Sequence, residues 1–362
     1  MTSDLDDRVD TTPPGPPERR RRGARRVGRA LILLVTAAVL LAAGVAWWKV
    51  DQVNSSIAQR SVDALLPDDP SIRSDAATAA DGTATAAENI LVLGLDTRPA
   101  DQVAPGAGTS QSDVMMIAHL SADRQRVDLV SIPRDLLIPA PTCKAWDYST
   151  NTLSDRDFDN PYTQWKITNA YAVGGPQCTV KAVQALTGLR IDRLIVLQFG
   201  GFKDVVDAMG GLTMTFDGPV VDNGKTIIAQ AGTQLIDGDQ ALALARARRV
   251  AGDPTGDLGR IGRQQQLLAA MLSQVASGGL ITDPARLDQV LQTVIDNSAT
   301  DNVTVTDLMD LALSIKGGAA AVQDHTLPTV PDTGTDGLLA AATMPDYLTA
   351  LVTDRPLPGD DG

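Results

Sequence analysis

Acidic and arginine side chains lie beside three apolar segments in the middle of the 362-residue chain. They are Asp96, Arg98, Asp113, Arg134 and Asp135. Carboxylate oxygens are ligands of Mg²⁺, and arginine forms planar, paired hydrogen bonds to phosphate oxygens. In open α/β sheets, ligands bind beyond the ends of the strands. The pattern therefore predicts a site for a metal-bound, multiply charged anion such as a phosphate.

The apolar segments themselves predict buried strands at 90–95, 114–118 and 127–132, because a strand covered on both faces has no polar face. Further strands are predicted at 194–199 and 212–216, and an edge strand at 322–330. Helices are predicted at 179–186 (with Thr179 as N-cap and Gly188 as the stop), 202–209, 240–249, 260–271, 287–295, 305–315 and 344–352. This alternation of strands and helices predicts a layered α/β domain.

One predicted helix carries polar side chains on its apolar face. A single stripe at helical spacing contains Arg260, Arg263, Gln264, Leu267, Leu268 and Met271. An arginine on a buried face must be paired or meet a ligand. Arg260 and Arg263 are therefore candidates for binding an anion. The full set of candidate arginines is Arg98, Arg134, Arg246, Arg248, Arg260 and Arg263. The alternatives are a role in surface solubility and ion pairing with the abundant acidic residues.

Charge is distributed unevenly along the chain. The formal charge is −13, yet residues 1–29 carry eight arginines against five acidic residues. The strongly acidic remainder argues against nucleic acid as a partner. Aromatic residues make up only 3% of the chain, which leaves no platform for stacking bases.

Residues 30–48 form an uncharged run of apolar character that follows the arginine-rich segment. Nineteen helical residues span about 28 Å, close to the ~30 Å hydrocarbon core of a bilayer. The sequence predicts a single-pass transmembrane helix at the cell membrane, with a cytoplasmic N-terminus and an extracellular domain. A cleaved signal peptide is the alternative. The predicted organisation is a cytoplasmic tail (1–29), the membrane helix (30–48), a stalk (49–88), a catalytic domain (89–353) and a disordered tail (354–362).

The chain has two cysteines, Cys143 and Cys178, and two histidines, His119 and His325. Outside the membrane, an even cysteine pair favours a disulfide over a metal or nucleophile site. Neither histidine lies in a metal-binding or triad pattern, so both are predicted to be structural. Serine-hydrolase, P-loop and dinucleotide-binding signatures are absent from the sequence.

Several segments, by their order and spacing, resemble the LytR-CpsA-Psr family of cell-wall glycopolymer ligases. They cover about residues 89–275 and are 94–98, 112–116, 131–135, 166–175, 202–211, 235–248 and 257–265. The cysteine pair and the Arg-Ala-Arg motif at 246–248 resemble those of the actinobacterial members. The resemblance implies a mixed central β-sheet sandwiched by helices, with an apolar tunnel for a lipid tail.

The resemblance also implies a reaction. A glycopolymer on a polyprenyl-pyrophosphate carrier would be transferred, with its proximal phosphate, to a peptidoglycan hydroxyl at N-acetylmuramic acid. A pyrophosphatase side activity is compatible with this chemistry. The alternatives are a non-catalytic scaffold that binds polyprenyl pyrophosphate and a membrane-anchored regulator of the envelope.

The family motifs assign roles to individual positions. Asp96 and Asp113 would hold Mg²⁺, with Mn²⁺ as an alternative metal. The pyrophosphate would be clamped by Arg98, Arg134, Arg246, Arg248, Arg263 and Gln264. Catalysis would depend on Asp96, Arg98 and Arg134, although the general base stays unassigned. One departure is Gln111, where the family usually has arginine, so one phosphate-binding charge is missing.

Overall fold

The computed structural model describes residues 48–56, 87–95, 112–148, 150, 152–253, 257–276, 283–304 and 321–359. The predictions that fall outside these residues concern Asp96, Arg98, Gln111, the helix at 305–315, the cytoplasmic tail and almost all of the membrane segment and stalk. Among the described residues, no helix has both the length and the apolar character needed to span a bilayer. The domain below belongs to the compact unit Val53–Gly362.

The strands are β1 Glu88–Leu95, β2 Ser112–Leu120, β3 Arg126–Ser131, β4 Leu137–Pro139, β5 Lys144–Asp147, β6 Thr152–Asp157, β7 Gln164–Lys166, β8 Arg193–Gln198, β9 Leu212–Phe216, β10 Val220–Asp222, β11 Lys225–Ile228, β12 Gly232–Ile236, β13 Ser298–Asp301, β14 Ala321–Thr326, β15 Thr329–Pro331 and β16 Leu338–Ala340. The helices are α1 48–56, α2 Asn169–Thr187, α3 Phe199–Ala208, α4 Gly238–Arg246, α5 Asp257–Ala276, α6 Pro284–Asn297 and α7 Met344–Val352.

A mixed six-stranded sheet forms the centre of the domain, in the order β13-β8-β1-β2-β3-β14. β2 runs antiparallel to both β1 and β3, whereas β8 is parallel to β1 and β14 is parallel to β3. The C-terminal ends of β1, β3, β8 and β14 therefore lie at the same end of the sheet as the N-terminal end of β2. The sequence predicted that acidic and arginine side chains converge at this end of the strands.

The apolar runs became strands because both faces of the sheet are covered. On one face, Leu91, Met115 and Val130 belong to a core that includes residues of α2 and α7. On the other face, Ile90, Met116 and Leu129 pack near Leu268 and Leu272 of α5. Alternate residues of each strand thus enter different cores, as the period of a β-strand requires. The predicted mixed α/β fold is confirmed.

Helix α2 corrects the prediction that Thr179 caps a helix. The helix already begins at Asn169 and is kinked at Gly174 and Gly175, whose dihedral angles are not helical. The Thr179 hydroxyl bonds the carbonyl of Gly175 one turn earlier, at 3.0 Å. The predicted stop at Gly188 is confirmed, since this residue adopts a left-handed conformation with φ of 72°.

The predicted helix at 240–249 is also shorter at its C-terminal end than the periodicity indicated. A capping box between Asp237 and Gln240 starts α4, and the helix ends at Arg246. Ala247 is extended, so Arg248 and Arg249 lie in a connecting segment.

Two strand predictions also need adjustment. The strand at 212–216 forms, but it pairs with β12 in a separate two-stranded ribbon. The predicted edge strand at 322–330 ends at Thr326 and does lie at the edge of the central sheet.

The predicted disordered tail from residue 354 is wrong for residues 354–359. Asp354 accepts hydrogen bonds from the side chain of Arg126 (3.0 Å) and from the backbone of Ala122 (2.9 Å). Leu357 is buried in the core beside α7. The tail is ordered because its apolar and charged side chains find partners in the sheet, which composition alone does not reveal.

The predicted disulfide between Cys143 and Cys178 is present, with a Cα–Cα separation of 5.6 Å. It joins the segment before β5 to the kinked part of α2. A loop of 35 residues corresponds to about 3–4 kcal/mol of stabilisation in the chain-entropy model.

Candidate active site

Asp113, the second residue of β2, lies at the centre of a group of arginines. The residue is 8% exposed. One of its oxygens, Oδ1, accepts a hydrogen bond from Arg134 Nη1. The same oxygen lies 3.5 Å from Arg248 Nη2 and 3.8 Å from Arg260 Nη1. Three guanidinium groups from distant parts of the chain therefore meet at one carboxylate.

The pairing of β2 with β3 brings Asp113 and Arg134 together. The amide of Ile132 donates to the carbonyl of Met115 at 2.8 Å, which continues the ladder beyond the end of β3. Thr168 then ties both segments together. Its hydroxyl donates to the carbonyl of Ser112 at 3.0 Å, and its amide donates to the carbonyl of Arg134 at 3.2 Å. The backbone positions of Asp113 and Arg134 thus depend on the strand ladder and on the buried Thr168.

Arg248 reaches Asp113 because α4 stops before it. The backbone amides of Arg248 and Arg249 donate to one oxygen of Asp222, at 3.1 and 2.6 Å. These two hydrogen bonds to β10 hold the connecting segment in an extended conformation. The Arg248 side chain is 44% exposed, so its guanidinium is accessible from solvent as well as from Asp113.

Arg260 and Arg263 share one face of α5 but have different partners. Arg260 is 2% exposed and faces Asp113. Arg263 donates instead to Asp253 at 2.8 Å and to the carbonyl of Ala247 at 2.7 Å. Gln264 donates to the carbonyl of Ala245 at 2.9 Å. Arg263 and Gln264 therefore support the end of α4, whereas Arg260 joins the arginine group.

Arg246 occupies a different position. Its guanidinium carbon lies 5.3 Å from the centre of the Phe199 ring, within the range of a cation–π contact. The arginine is exposed, whereas Phe199 is buried.

A second acidic residue, Asp135, connects the arginine group to a lysine. Asp135 lies 3.5 Å from Arg134 Nε and 3.0 Å from Lys166 Nζ, which also contacts Asp336 at 2.9 Å. Burial by itself lowers the pKa of Lys166, but hydrogen bonds to Asp336 and Asp135 outweigh it and raise the pKa above its usual value. Lys166 is therefore an ammonium ion at neutral pH, and its charge is balanced by Asp135 and Asp336.

An apolar cavity of about 100 Å³ adjoins these charges. The described residues of its wall come from β1, β2, β8, α3, α4 and α5: Val92, Leu93, Gly94, Val114, Met116, Leu197, Phe199, Phe202, Ala245, Gln264, Leu267, Leu268 and Met271. Among these residues, Gln264 is the one with a strongly polar side chain. Such a cavity suits a hydrocarbon chain.

The structure thus brings together Asp113, Arg134, Arg248 and Arg260. It places Gln264 in the cavity wall and Arg246 over the ring of Phe199, which lines the same cavity. The family motifs had pointed to Arg263, whereas Arg260 is the arginine of α5 that reaches Asp113. Helical periodicity predicted that both arginines face inward, and only the packing of α5 distinguishes them. Among the described residues, no group of three or more His, Cys, Asp or Glu side chains lies together as a metal cluster.

The model of the LytR_cpsA_psr family matches residues 52–348, and the chain belongs to this family. The predicted resemblance is confirmed.

The relatives include the probable cell wall biosynthesis protein LcpB of Corynebacterium glutamicum, which is 31% identical over 255 residues. The match covers 68% of this chain and 56% of LcpB, so the chain spans little more than half the length of that relative. A second relative is the polyisoprenyl-teichoic acid–peptidoglycan teichoic acid transferase TagU of Bacillus subtilis, 26% identical over 245 residues. That match covers 66% of this chain and 67% of TagU.

A similar fold is found in the LytR-Csp2A-Psr enzyme from Actinomyces oris, with a TM-score of 0.56 and 21% identity. The two structures correspond over 80% of this chain and 94% of that one. At this level of identity the likeness concerns the fold.

Proposed function

We propose that the chain transfers a glycopolymer, with its proximal phosphate, from a polyprenyl-pyrophosphate carrier to a peptidoglycan hydroxyl at N-acetylmuramic acid. The observation that carries this proposal is the continuity between the arginine group and the apolar cavity. Asp113 contacts three arginines, and its neighbour Val114 lines the cavity. On α5, Arg260 faces Asp113, and Gln264 and Leu267 follow at helical spacing along the cavity wall.

A polyprenyl pyrophosphate has these two parts in the same order. Its pyrophosphate is a dense anion for which guanidinium groups are suitable partners. Its isoprenoid chain is a hydrocarbon, and moving it from water into an apolar cavity lowers the free energy. An anion-binding site without a cavity would suit a nucleotide or a free phosphate. A cavity without arginines would suit a neutral lipid. The combination supports a lipid pyrophosphate.

The chemistry requires little covalent participation by the protein. The acceptor hydroxyl forms a bond to the proximal phosphorus, the bond from that phosphorus to the bridging oxygen breaks, and polyprenyl phosphate leaves. Arg134, Arg248 and Arg260 stabilise the charge that develops on the leaving phosphate, because phosphoryl transfer depends on positioning and charge neutralisation. The hydroxyl proton passes to a base that the described residues do not identify.

Mg²⁺ is the metal proposed for this reaction, with Mn²⁺ as an alternative. Asp113 fits such an ion, because a hard cation takes one or two carboxylates together with phosphate oxygens. Asp96 is the second proposed ligand, and Arg98 a further proposed phosphate ligand. When bound, the metal would neutralise charge on the phosphate oxygens.

The names of the relatives support the substrate class. TagU is described as a teichoic acid transferase acting between a polyisoprenyl carrier and peptidoglycan, and LcpB as a cell wall biosynthesis protein. We further propose that residues 30–48 anchor the chain in the cell membrane, with the N-terminus inside and the catalytic domain outside. The disulfide supports an extracellular domain, because structural disulfides persist in oxidising surroundings.

The test uses the full chain in detergent with a synthetic lipid-pyrophosphate-sugar, peptidoglycan fragments and Mg²⁺. Mass spectrometry follows the released lipid phosphate and the joined glycan. Arg134→Ala is the inactive comparison, and Arg355→Ala, at an exposed position near the C-terminus, is the matched control. Glycan joined through a phosphodiester, and lost only in Arg134→Ala, is the expected result.

Two other results would replace the proposal. Release of lipid phosphate without joining, over a series of acceptors, would indicate a pyrophosphatase. Lipid that binds but is never released would indicate the scaffold function.

A further inference from the structure

We propose that Phe199 is a positioning residue that holds the Arg246 guanidinium beside the wall of the apolar cavity. The proposal rests on the proposed function, because it gives that guanidinium a place beside the carrier pyrophosphate. Phe199 then serves both parts of the ligand. Its ring lines the cavity, and one face of the ring carries the cation.

The backbone fixes the position of the ring. Phe199 is the first residue of α3 and directly follows Gln198, the last residue of β8. The residue is 7% exposed. A side chain at the α3 N-terminus beside the sheet edge has little freedom, because the helix and the strand meet there without an intervening loop.

Gly94 near the end of β1 makes room for the ring. A Cβ atom at Gly94 would lie 3.1 Å from Phe199 Cε1 and 2.8 Å from the Cβ of Val114. Both distances are shorter than ordinary carbon contacts, so any larger residue would displace the ring or the neighbouring strand. Phe199 is therefore packed against the strand end that leads to the proposed catalytic site.

The position of the Arg246 guanidinium depends on the contacts that its side chain makes. Arg246 is the last residue of α4 and is exposed, so fixing its long side chain in one place costs conformational entropy. The guanidinium carbon lies 5.3 Å from the Phe199 centroid. Stacking on a buried ring of the cavity wall holds the guanidinium beside that wall. A pyrophosphate whose lipid tail enters the cavity meets the cation there.

The experiment separates the two parts of the ligand. Binding of inorganic pyrophosphate reports on the charged head, and binding of farnesol reports on the apolar chain. Both are measured by calorimetry on the full chain in the same detergent, with Mg²⁺ present. The matched pair of variants is Phe199→Leu and Phe202→Leu, because both rings line the cavity and only Phe199 lies under Arg246.

We expect Phe199→Leu to weaken pyrophosphate binding roughly three- to tenfold, the size of a cation–π contact. Farnesol binding should change less than twofold, because leucine keeps the wall apolar. Phe202→Leu should leave pyrophosphate binding unchanged. Phe199→Trp, which keeps an aromatic face, should restore most of the affinity for pyrophosphate.

A double-mutant cycle with Arg246→Gln tests the route of the effect. In the Arg246→Gln background, Phe199→Leu should not weaken pyrophosphate binding any further. Equal weakening in both backgrounds would overturn the proposal, as would equal effects of Phe199→Leu and Phe202→Leu on both probes. Wild-type chain that binds neither probe would instead overturn the proposed function. Wild-type binding of both probes, unaffected by Phe199→Leu, would remove the role of Phe199 alone.

Discussion

The two ends of β2 both contain buried charge, but the charges are arranged differently. Asp113 and His119 are six residues apart, which corresponds to about 20 Å along a strand. At one end, Arg134, Arg248 and Arg260 all approach one oxygen of Asp113. At the other end, His119 takes part in a network in which acidic and basic groups alternate.

That network connects three strands to the C-terminal segment. His119 contacts Asn89 Oδ1 at 2.7 Å through Nδ1 and Asp354 Oδ1 at 3.1 Å through Nε2. Arg126 bridges Asp354 and Asp128, at 3.0 and 2.7 Å. Burial raises the pKa of Asp354, but the hydrogen bonds from His119 and Ala122 and the charge of Arg126 outweigh it and hold that pKa below its usual value.

The difference between the two ends indicates their roles. In the His119 network, each described carboxylate has a basic neighbour, so the charges compensate one another within the protein. Around Asp113, three guanidinium groups share one carboxylate oxygen, and Arg248 is open to solvent. Guanidinium groups near the surface attract an anionic ligand. The predicted structural role of His119 agrees with its contacts.

The largest expected effect is on transfer when an arginine of the Asp113 group is removed. Arg134→Ala should lower the rate of transfer at least about 100-fold, because it removes a group that stabilises the developing charge. The free energy of unfolding should change little, since Asp113 keeps Arg248 and Arg260. Rate assays with the synthetic carrier and thermal melts of the same preparation measure both quantities. Unchanged transfer would contradict the role assigned to this end of β2.

A smaller effect distinguishes the two arginines of α5. Arg260→Ala should weaken pyrophosphate binding by about tenfold or more, as expected for a hydrogen bond to a charged group. Arg263→Ala removes contacts to Asp253 and Ala247 and should weaken pyrophosphate binding less than Arg260→Ala does. Calorimetric titration of both variants makes the comparison. A greater loss in Arg263→Ala would show that the family assignment of Arg263 holds despite its position.

At the opposite end of β2, substitution should affect stability rather than activity. Asp354→Asn should lower the free energy of unfolding by about 2 kcal/mol, because charged hydrogen bonds to Arg126 and His119 are lost. Transfer below the unfolding temperature should be unchanged. Asp157→Asn, at an exposed position on β6, is the matched control and should be neutral. Loss of transfer in folded Asp354→Asn would contradict the division between the two ends.

The smallest effect concerns pH. Because the pKa of Asp354 is lower in the folded chain than its usual value near 3.9, its contribution is present above about pH 4 and is lost as the pH falls further. Acid unfolding of Asp354→Asn should therefore be shallower than that of the wild type below about pH 4. Parallel curves for the two proteins would show that Asp354 does not contribute through its charge.

The sequence by itself determined five of the six strands of the central sheet, the α/β class and most of the helices. Near-continuous apolar runs can only be buried on both faces, so β1, β2 and β3 were predictable from residue type alone. The stripe on α5 was predictable because helical spacing places Arg260, Gln264 and Leu267 on one face. The cysteine pair was predictable from its chemistry outside the membrane.

Tertiary structure decided which of the predicted residues act together. Arg260 and Arg263 lie on the same helical face, yet only the packing of α5 against the sheet directs Arg260 to Asp113. Arg248 reaches Asp113 because α4 ends at Arg246 and Asp222 holds the next segment. Asp354 is ordered by partners more than 200 residues away in the chain. Local patterns report the neighbours of a residue along the chain, whereas these contacts depend on the pairing of distant segments.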